Sequence, residues 1–162
     1  MSQAKSSPPT ANKSPAFLYD SSNIDWRDFI TDGCYYKLLN VDLEARQADM
    51  IVKFDPNSKC MYHRHTATVT TLVLEGEQVL REVTDAGEVI RIKPAGSYSI
   101  GGVGEVHVEG SGDETLILFF SMRTDGEVIY ELLNDDLTLR KAITVEDFYR
   151  DWHTKWPNDH KK

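Results

Sequence analysis

Tyr62-His63-Arg64-His65-Thr66 is the stretch on which the reading of this chain turns. On a strand, residues i and i+2 point to one face with α-carbons about 6.6 Å apart, whereas on a helix they diverge by about 200°. An extended segment therefore places His63 and His65 side by side. Two such imidazoles converge on one ion when their nitrogens sit ~3 Å apart, as bonds of ~2.1 Å and a bite near a right angle require. The alternative, both histidines in solvent, turns Arg64 inward, and a guanidinium is costly to bury. A pair supplies two ligands, so a third must come from elsewhere in the fold.

Outward from this pair the chain is a succession of short apolar segments separated by turn chemistry, at spacings near the ~8–12 residues of an all-β sandwich or barrel. The expected strands are Tyr35–Val41, Ala48–Phe54, Met61–His65, Thr70–Leu74, Gln78–Val83, Glu88–Lys93, Ser97–Ile100, Val106–Glu109 and Thr115–Met122. Asp55-Pro56-Asn57, Glu75-Gly76-Glu77, Asp85-Ala86-Gly87 and Pro94-Ala95-Gly96 punctuate them. So many strands in a small domain must close or stack to hide their edges, which predicts a two-sheet jelly roll or small barrel. A short helical turn is expected at Asp25–Ile30, capped by Asn23 or Asp25. At the other end Thr144 and Asp147 form a loose capping box. Val145, Phe148, Tyr149, Trp152 and Trp156 then recur on one face of a helix ending at Pro157, a face suited to covering the core or meeting a second subunit.

The third histidine candidate is His107, in Gly96-x5-Gly102-x-Gly104-x2-His107. By pattern alone Val106 and Val108 could instead be the core face, leaving Glu105, His107 and Glu109 as a solvated polar face. Upstream stands Asn57-x5-His63-x-His65-x3-Val69-x6-Gly76. Together these two segments, from about Asp55 to Gly112, resemble the signature motifs of the cupin superfamily. The first motif of that superfamily contributes two His and usually a Glu, and the second contributes a last His. The resemblance implies a single-domain, all-β cupin jelly-roll barrel, with His63, His65 and His107 as metal ligands.

Three positions depart from the superfamily pattern. Asn57 stands where Gly is common and Gly102 where Pro is common, both turn substitutions. Val69 stands where the Glu ligand would be, so the implied site is three neutral imidazoles without a protein anion. That set is similar to the three-His cupins, which include acetylacetone and dihydroxyacetophenone dioxygenases and the cupin lobes of anti-sigma factors. The dioxygenases imply Fe(II), with dioxygen and a small β-dicarbonyl or hydroxyketone as substrates of carbon–carbon cleavage. Imidazole suits Zn, Ni and Cu as well, so ligand type does not choose the metal. An ion held by neutral ligands keeps its full charge and favours anionic oxygen chelators such as an enolate. The alternative is a non-catalytic metal-binding or sensing cupin. A metal-free isomerase would need a catalytic His–Asp or Tyr arrangement that the sequence does not display. Cupins of this kind commonly pair through exposed strands, which implies a homodimer.

A substrate pocket beside the histidines is expected from Val69, Thr71 and Val73, which share a strand face. Across the Gly76 turn, either Gln78 and Glu82 or Arg81 faces inward, and an inward Arg81 would suit a carboxylate or enolate. His153 on the terminal helix and His160 in the tail are expected in solvent.

Length and composition bound the partners. The chain has 162 residues, 40% of them hydrophobic and 27% charged, which suits one globular domain. We expect that domain at 16–157, between a Ser/Pro-rich tail at 1–15 and a flexible tail at 158–162. The chain's net charge of −8 opposes nucleic-acid and anionic-membrane partners, which draw on basic surfaces. No apolar run approaches the ~18 residues that span a bilayer, and Cys34 and Cys60 lack the spacing of a disulfide framework or CxxC site. A cytoplasmic protein with free thiols is the expectation.

Overall fold

Gln47–Phe54 alternates polar and apolar except at Ile51, and the structure buries every second residue of it, Ala48, Met50, Val52 and Phe54. The same period of two runs through Leu116–Arg123 and Thr68–Glu75. These three strands are neighbours, and their apolar residues form one wall of the core. The computed structural model describes residues 19–157. The tails expected at 1–15 and 158–162, and His160 with them, lie outside the described residues.

The strands are β1 (Arg27–Asp28), β2 (Cys34–Asp42), β3 (Gln47–Phe54), β4 (His63–His65), β5 (Thr68–Glu75), β6 (Glu77–Thr84), β7 (Gly87–Pro94), β8 (Tyr98–Gly101), β9 (Val106–Ser111), β10 (Leu116–Arg123), β11 (Val128–Leu133) and β12 (Leu139–Thr144). They are followed by helix α1 (Val145–Lys155). They form two antiparallel six-stranded sheets, ordered β1-β2-β3-β10-β5-β8 and β12-β11-β4-β9-β6-β7. This is the expected cupin jelly roll, with the core between the sheets. Among the described residues no helix is long and apolar enough to cross a membrane. Cys34 and Cys60 are buried free thiols.

Two sequence expectations are corrected. The helical turn lies at Ser21–Asn23, capped by the Asp20 side chain, and not at Asp25–Ile30. Residues 27 and 28 are instead drawn into the sheet opposite Tyr36 and Tyr35, and Phe29 stacks on Tyr36 with ring centroids 4.4 Å apart. Tertiary pairing there outweighs a weak local helix signal. The second correction adds β11 and β12, which the strand pattern missed. In β11 four of six residues are buried, Ile129, Tyr130, Leu132 and Leu133, so the strand is covered on both faces and shows no alternation.

Helix α1 starts as expected. Thr144 Oγ1 accepts from the Asp147 N–H, and the Asp147 carboxylate accepts from the Thr144 N–H, which completes the capping box. Val145, Phe148 and Trp152 are buried, whereas Tyr149 lies at the edge of the face and is partly exposed. Past the helix end, Trp156 is enclosed, meets Tyr36 edge-on and donates Nε1–H to the Asp25 carbonyl at 2.9 Å. Gly76 links β5 to β6 at φ +74°, and a Cβ there would sit 2.2 Å from the Thr115 carbonyl oxygen. Only glycine fits both the conformation and the close approach.

Trp156→Ala should lower the unfolding free energy by about 3–5 kcal/mol, as expected when a buried aromatic is truncated. Tyr149→Ala should cost less than about 1 kcal/mol. Urea denaturation of the two variants distinguishes these outcomes, and equal losses would remove Trp156 as the anchor of the C-terminal segment.

Candidate metal centre

Strands β4 and β9 are antiparallel neighbours, and their register sets His63 directly opposite His107. His65 follows two residues along the same face. All three side chains are buried, and their ring centroids lie 4.5–4.9 Å apart. Arg64 points the other way, where its Nη1 meets Glu131 at 2.7 Å. The polar face that held Glu105, His107 and Glu109 as an alternative to the core is thus turned into the barrel, and His107 and Glu109 are both buried.

The nitrogens fit a shared cation. His65 Nε2 and His107 Nε2 are 3.0 Å apart, the separation that two bonds of ~2.1 Å at a right angle impose. One N–H can serve that pair in the absence of an ion, yet Nδ1 of each ring is buried with no hydrogen-bond partner. A cation would satisfy both Nε2 lone pairs at once. His63 Nδ1 lies 3.1 Å from the Met61 carbonyl oxygen. A carbonyl only accepts, so that bond places the proton on Nδ1 and leaves Nε2 bare, the arrangement usual in a metal-ligating histidine.

A residue that the sequence reading did not single out stands beside the three. Glu109 is buried, and its Oε1 lies 3.8 Å from His63 Nε2. Gln78 Nε2 donates to Oε2 at 2.5 Å. The expectation of a site without a protein anion is therefore amended: no carboxylate occupies position 69, but one enters from β9. Its signal was present in the spacing, because Glu109 follows His107 by two and shares its face. Cys60 Sγ is 3.6 Å from His63 Nδ1, so Cys60, His63 and Glu109 form a second cluster of ligand atoms that shares His63.

Burial dominates the titration of these groups. It pushes the His65 imidazole down to about 3, with His63 adding to the effect. His107 is pushed down to about 2 by burial and then by His63, His65 and Lys93. Burial raises the Glu109 carboxyl, opposed by His63, Gln78 and Lys93. Burial also raises the Cys60 thiol well above its usual range, with Glu109 reinforcing it.

His65, His107 and Glu109 border a cavity of about 160 Å³. That is well below the ~300–1,000 Å³ of sites for drug-sized ligands. Val69 and Thr71 line it as expected. Val73, on the same face of β5, is buried deeper in the core and does not. Arg81 does not line it either: parity turns Gln78, Leu80 and Glu82 inward, and Arg81 lies exposed, paired with Glu88 at 3.4 Å. The inward cations come from β7, as Arg91 and Lys93. His153 is exposed on α1 against Tyr149.

The two facing sheets and the inward histidines define a cupin. The chain belongs to the family of the ChrR cupin-like domain, whose model matches residues 14–124. Among solved structures it is similar to an acetylacetone dioxygenase from Acinetobacter johnsonii, with 14% identity and a TM-score of 0.70, covering 94% of this chain and 97% of that one. A candidate acetylacetone dioxygenase from Methylibium petroleiphilum PM1 is 20% identical at a TM-score of 0.68, covering 94% and 99% of the two chains. An RmlC-like cupin protein from Ralstonia eutropha JMP134 is 17% identical at 0.69, covering 90% and 91%. At these identities the likeness is one of fold. No curated protein matches the sequence.

The depressed imidazoles imply a pH dependence for the metal-free protein. Between about 6.5, the unfolded value, and about 3, the unfolded state binds protons at His65 and His107 that the folded state refuses. Stability should therefore fall as pH is lowered through that window, by at most about 1.4 kcal/mol per pH unit for each histidine. Denaturation midpoints at pH 7 and 5 should differ in the native chain, and the difference should shrink in His107→Leu.

Proposed function

We propose that the chain is an Fe(II)-dependent dioxygenase that cleaves a carbon–carbon bond in a small β-dicarbonyl or hydroxyketone, with His63, His65 and His107 as the metal ligands. The observation that carries this reading is the 3.0 Å Nε2–Nε2 approach of His65 and His107 at the wall of a small polar cavity. A right-angle bite suits two vertices of an octahedral ion with positions left open, whereas a closed structural zinc is tetrahedral. Bound there, ferrous iron would supply the Lewis acidity that stabilises an enolate and the redox chemistry that lets dioxygen react.

The protein's own groups do the rest. The Met61 carbonyl holds His63 in one tautomer. Val69, Leu80 and Phe120 give the cavity an apolar wall that limits water around the substrate. Glu109 is the buried carboxylate that takes the proton a β-dicarbonyl sheds from its central carbon: the C–H bond breaks, an O–H forms on Glu109, and the substrate is left as its enolate. Its raised affinity for a proton suits that role.

A second reading follows from the family match and from Cys60. The ChrR cupin-like family accords with the sequence's resemblance to the cupin lobes of anti-sigma factors, and the thiol beside His63 offers a softer donor for zinc. A non-catalytic metal-binding cupin would hold a slowly exchanging zinc with no open position. In either case a homodimer fits the exposed apolar side chains of the edge strands, Ile90 and Ile92 on β7 and Tyr98 on β8.

Elemental analysis of the isolated protein followed by oxygen uptake with restored ferrous ion tests the proposal. Uptake should depend on added iron and on a β-dicarbonyl, and should fall at least about 100-fold in His63→Ala and His107→Ala, because loss of a direct ligand exceeds the ~10–100-fold typical of outer partners. No uptake across a panel of such substrates, with tightly held zinc, would favour the second reading. Sedimentation should report a dimer that Ile92→Glu dissociates.

A further inference from the structure

Lys93 is the unmatched charge of the cavity. It sits on the inward face of β7, half-buried, and its Nζ donates to Ser99 Oγ on β8 at 3.1 Å, across the gap between the two sheets. The other charged groups lining the cavity are already engaged. Arg91 Nε meets Glu82 at 2.8 Å, the Gly102 N–H donates to Glu105 at 3.3 Å, and Gln78 donates to Glu109. Among the described residues no carboxylate oxygen lies within ion-pair distance of Lys93 Nζ; its hydrogen-bond partner is a neutral hydroxyl. A partly desolvated ammonium without a counter-ion is unfavourable unless an anion completes it.

Its position sets what that anion belongs to. Along the inward face the strands run β4, β9, β6, β7. Register sets Lys93 level with Ser111, two strands over and two residues along from Glu109 and four along from His107, backbone separations of about 12 Å and about 16 Å that its long side chain partly spans. Its charge acts on both groups, lowering the proton affinity of each.

We propose that Lys93 is the anchor for a carboxylate carried by the substrate, so that the ligand of this cavity is a short-chain oxo acid rather than a neutral diketone. One end, a chelating pair of oxygens, faces the histidines; the other, a carboxylate, ion-pairs with Lys93 and accepts from Ser99. The inference rests on the metal-centre reading for which end faces the histidines, but the anion site itself stands on Lys93 and Ser99 alone. The cavity's volume admits a small acid, and of its two lining cations Arg91 is already paired with Glu82, which leaves Lys93 for one carboxylate. The recognition role expected of Arg81 thus passes to a residue on the neighbouring strand.

Calorimetric titration of malonate into the metal-free and zinc-loaded protein tests this without turnover. Lys93→Met should weaken malonate binding about 10-fold or more, the value of one charge-assisted hydrogen bond. Lys93→Arg should restore most of it. Arg81→Met removes the same charge from the outer face and should leave binding as it was. Thermal melts and zinc stoichiometry establish that each variant is folded. In turnover, the ratio of kcat/KM for acetoacetate to that for acetylacetone should drop at least about 10-fold in Lys93→Met. Malonate binding in Lys93→Met within about twofold of the native chain, or an equal loss in Arg81→Met, would overturn the anchor. Absence of oxygen uptake with every substrate would instead overturn the dioxygenase reading, leaving the malonate result to decide Lys93.

Discussion

Three imidazoles packed against one another inside a barrel have to stay neutral, because burial disfavours the charged form and each ring would repel a second cation. The rest of the structure follows from that constraint. Each neutral ring keeps one lone pair, and Nε2 atoms held 3.0 Å apart at His65 and His107 can share one proton or, with both lone pairs turned to the same point, one divalent ion. The fold holds them there by backbone pairing: β4 lies between β11 and β9, so Leu132 and Tyr130 flank the pair on one side and His107 meets it on the other. None of the three histidines depends on a loop for its position, which favours a preorganised site.

Around the histidines the charge is distributed by strand. β9 brings Glu109 into the interior, held by Gln78 from β6. β7 brings Arg91 and Lys93, the first neutralised by Glu82 and the second bonded only to Ser99. An acidic chain of net charge −8 thus places a cation on the lining of its inner cavity. The carboxylate surplus lies mostly elsewhere, as on the outer face where Glu88 pairs with Arg81 and Glu131 with Arg64. The three carboxylates that line the cavity, Glu82, Glu105 and Glu109, have partners of their own and leave Lys93 uncompensated.

Much of this was legible in the chain. The alternation in Gln47–Phe54 marks a strand with one buried face, and the capping box at Thr144 marks the start of α1. The His-x-His spacing declares its own strand, because only extended backbone makes the pair converge. β11 escaped because a strand buried on both faces has no period to read. The turn expected at Asp25–Ile30 gave way to pairing with β2, since six residues hold too few helical hydrogen bonds to resist a sheet edge and the Phe29–Tyr36 stack.

By itself the sequence determined which residues could share a face: His63 with His65, His107 with Glu109, Val69 with Thr71. Periodicity is a local property of the backbone and can be read locally. Which of two faces turns inward, and which strands lie side by side, is decided by the whole barrel, through the area each face buries and the edges it leaves. Only the tertiary structure could place His63 opposite His107, send Arg81 out and bring Lys93 in, and set Glu109 beside a centre that position 69 had left without a carboxylate.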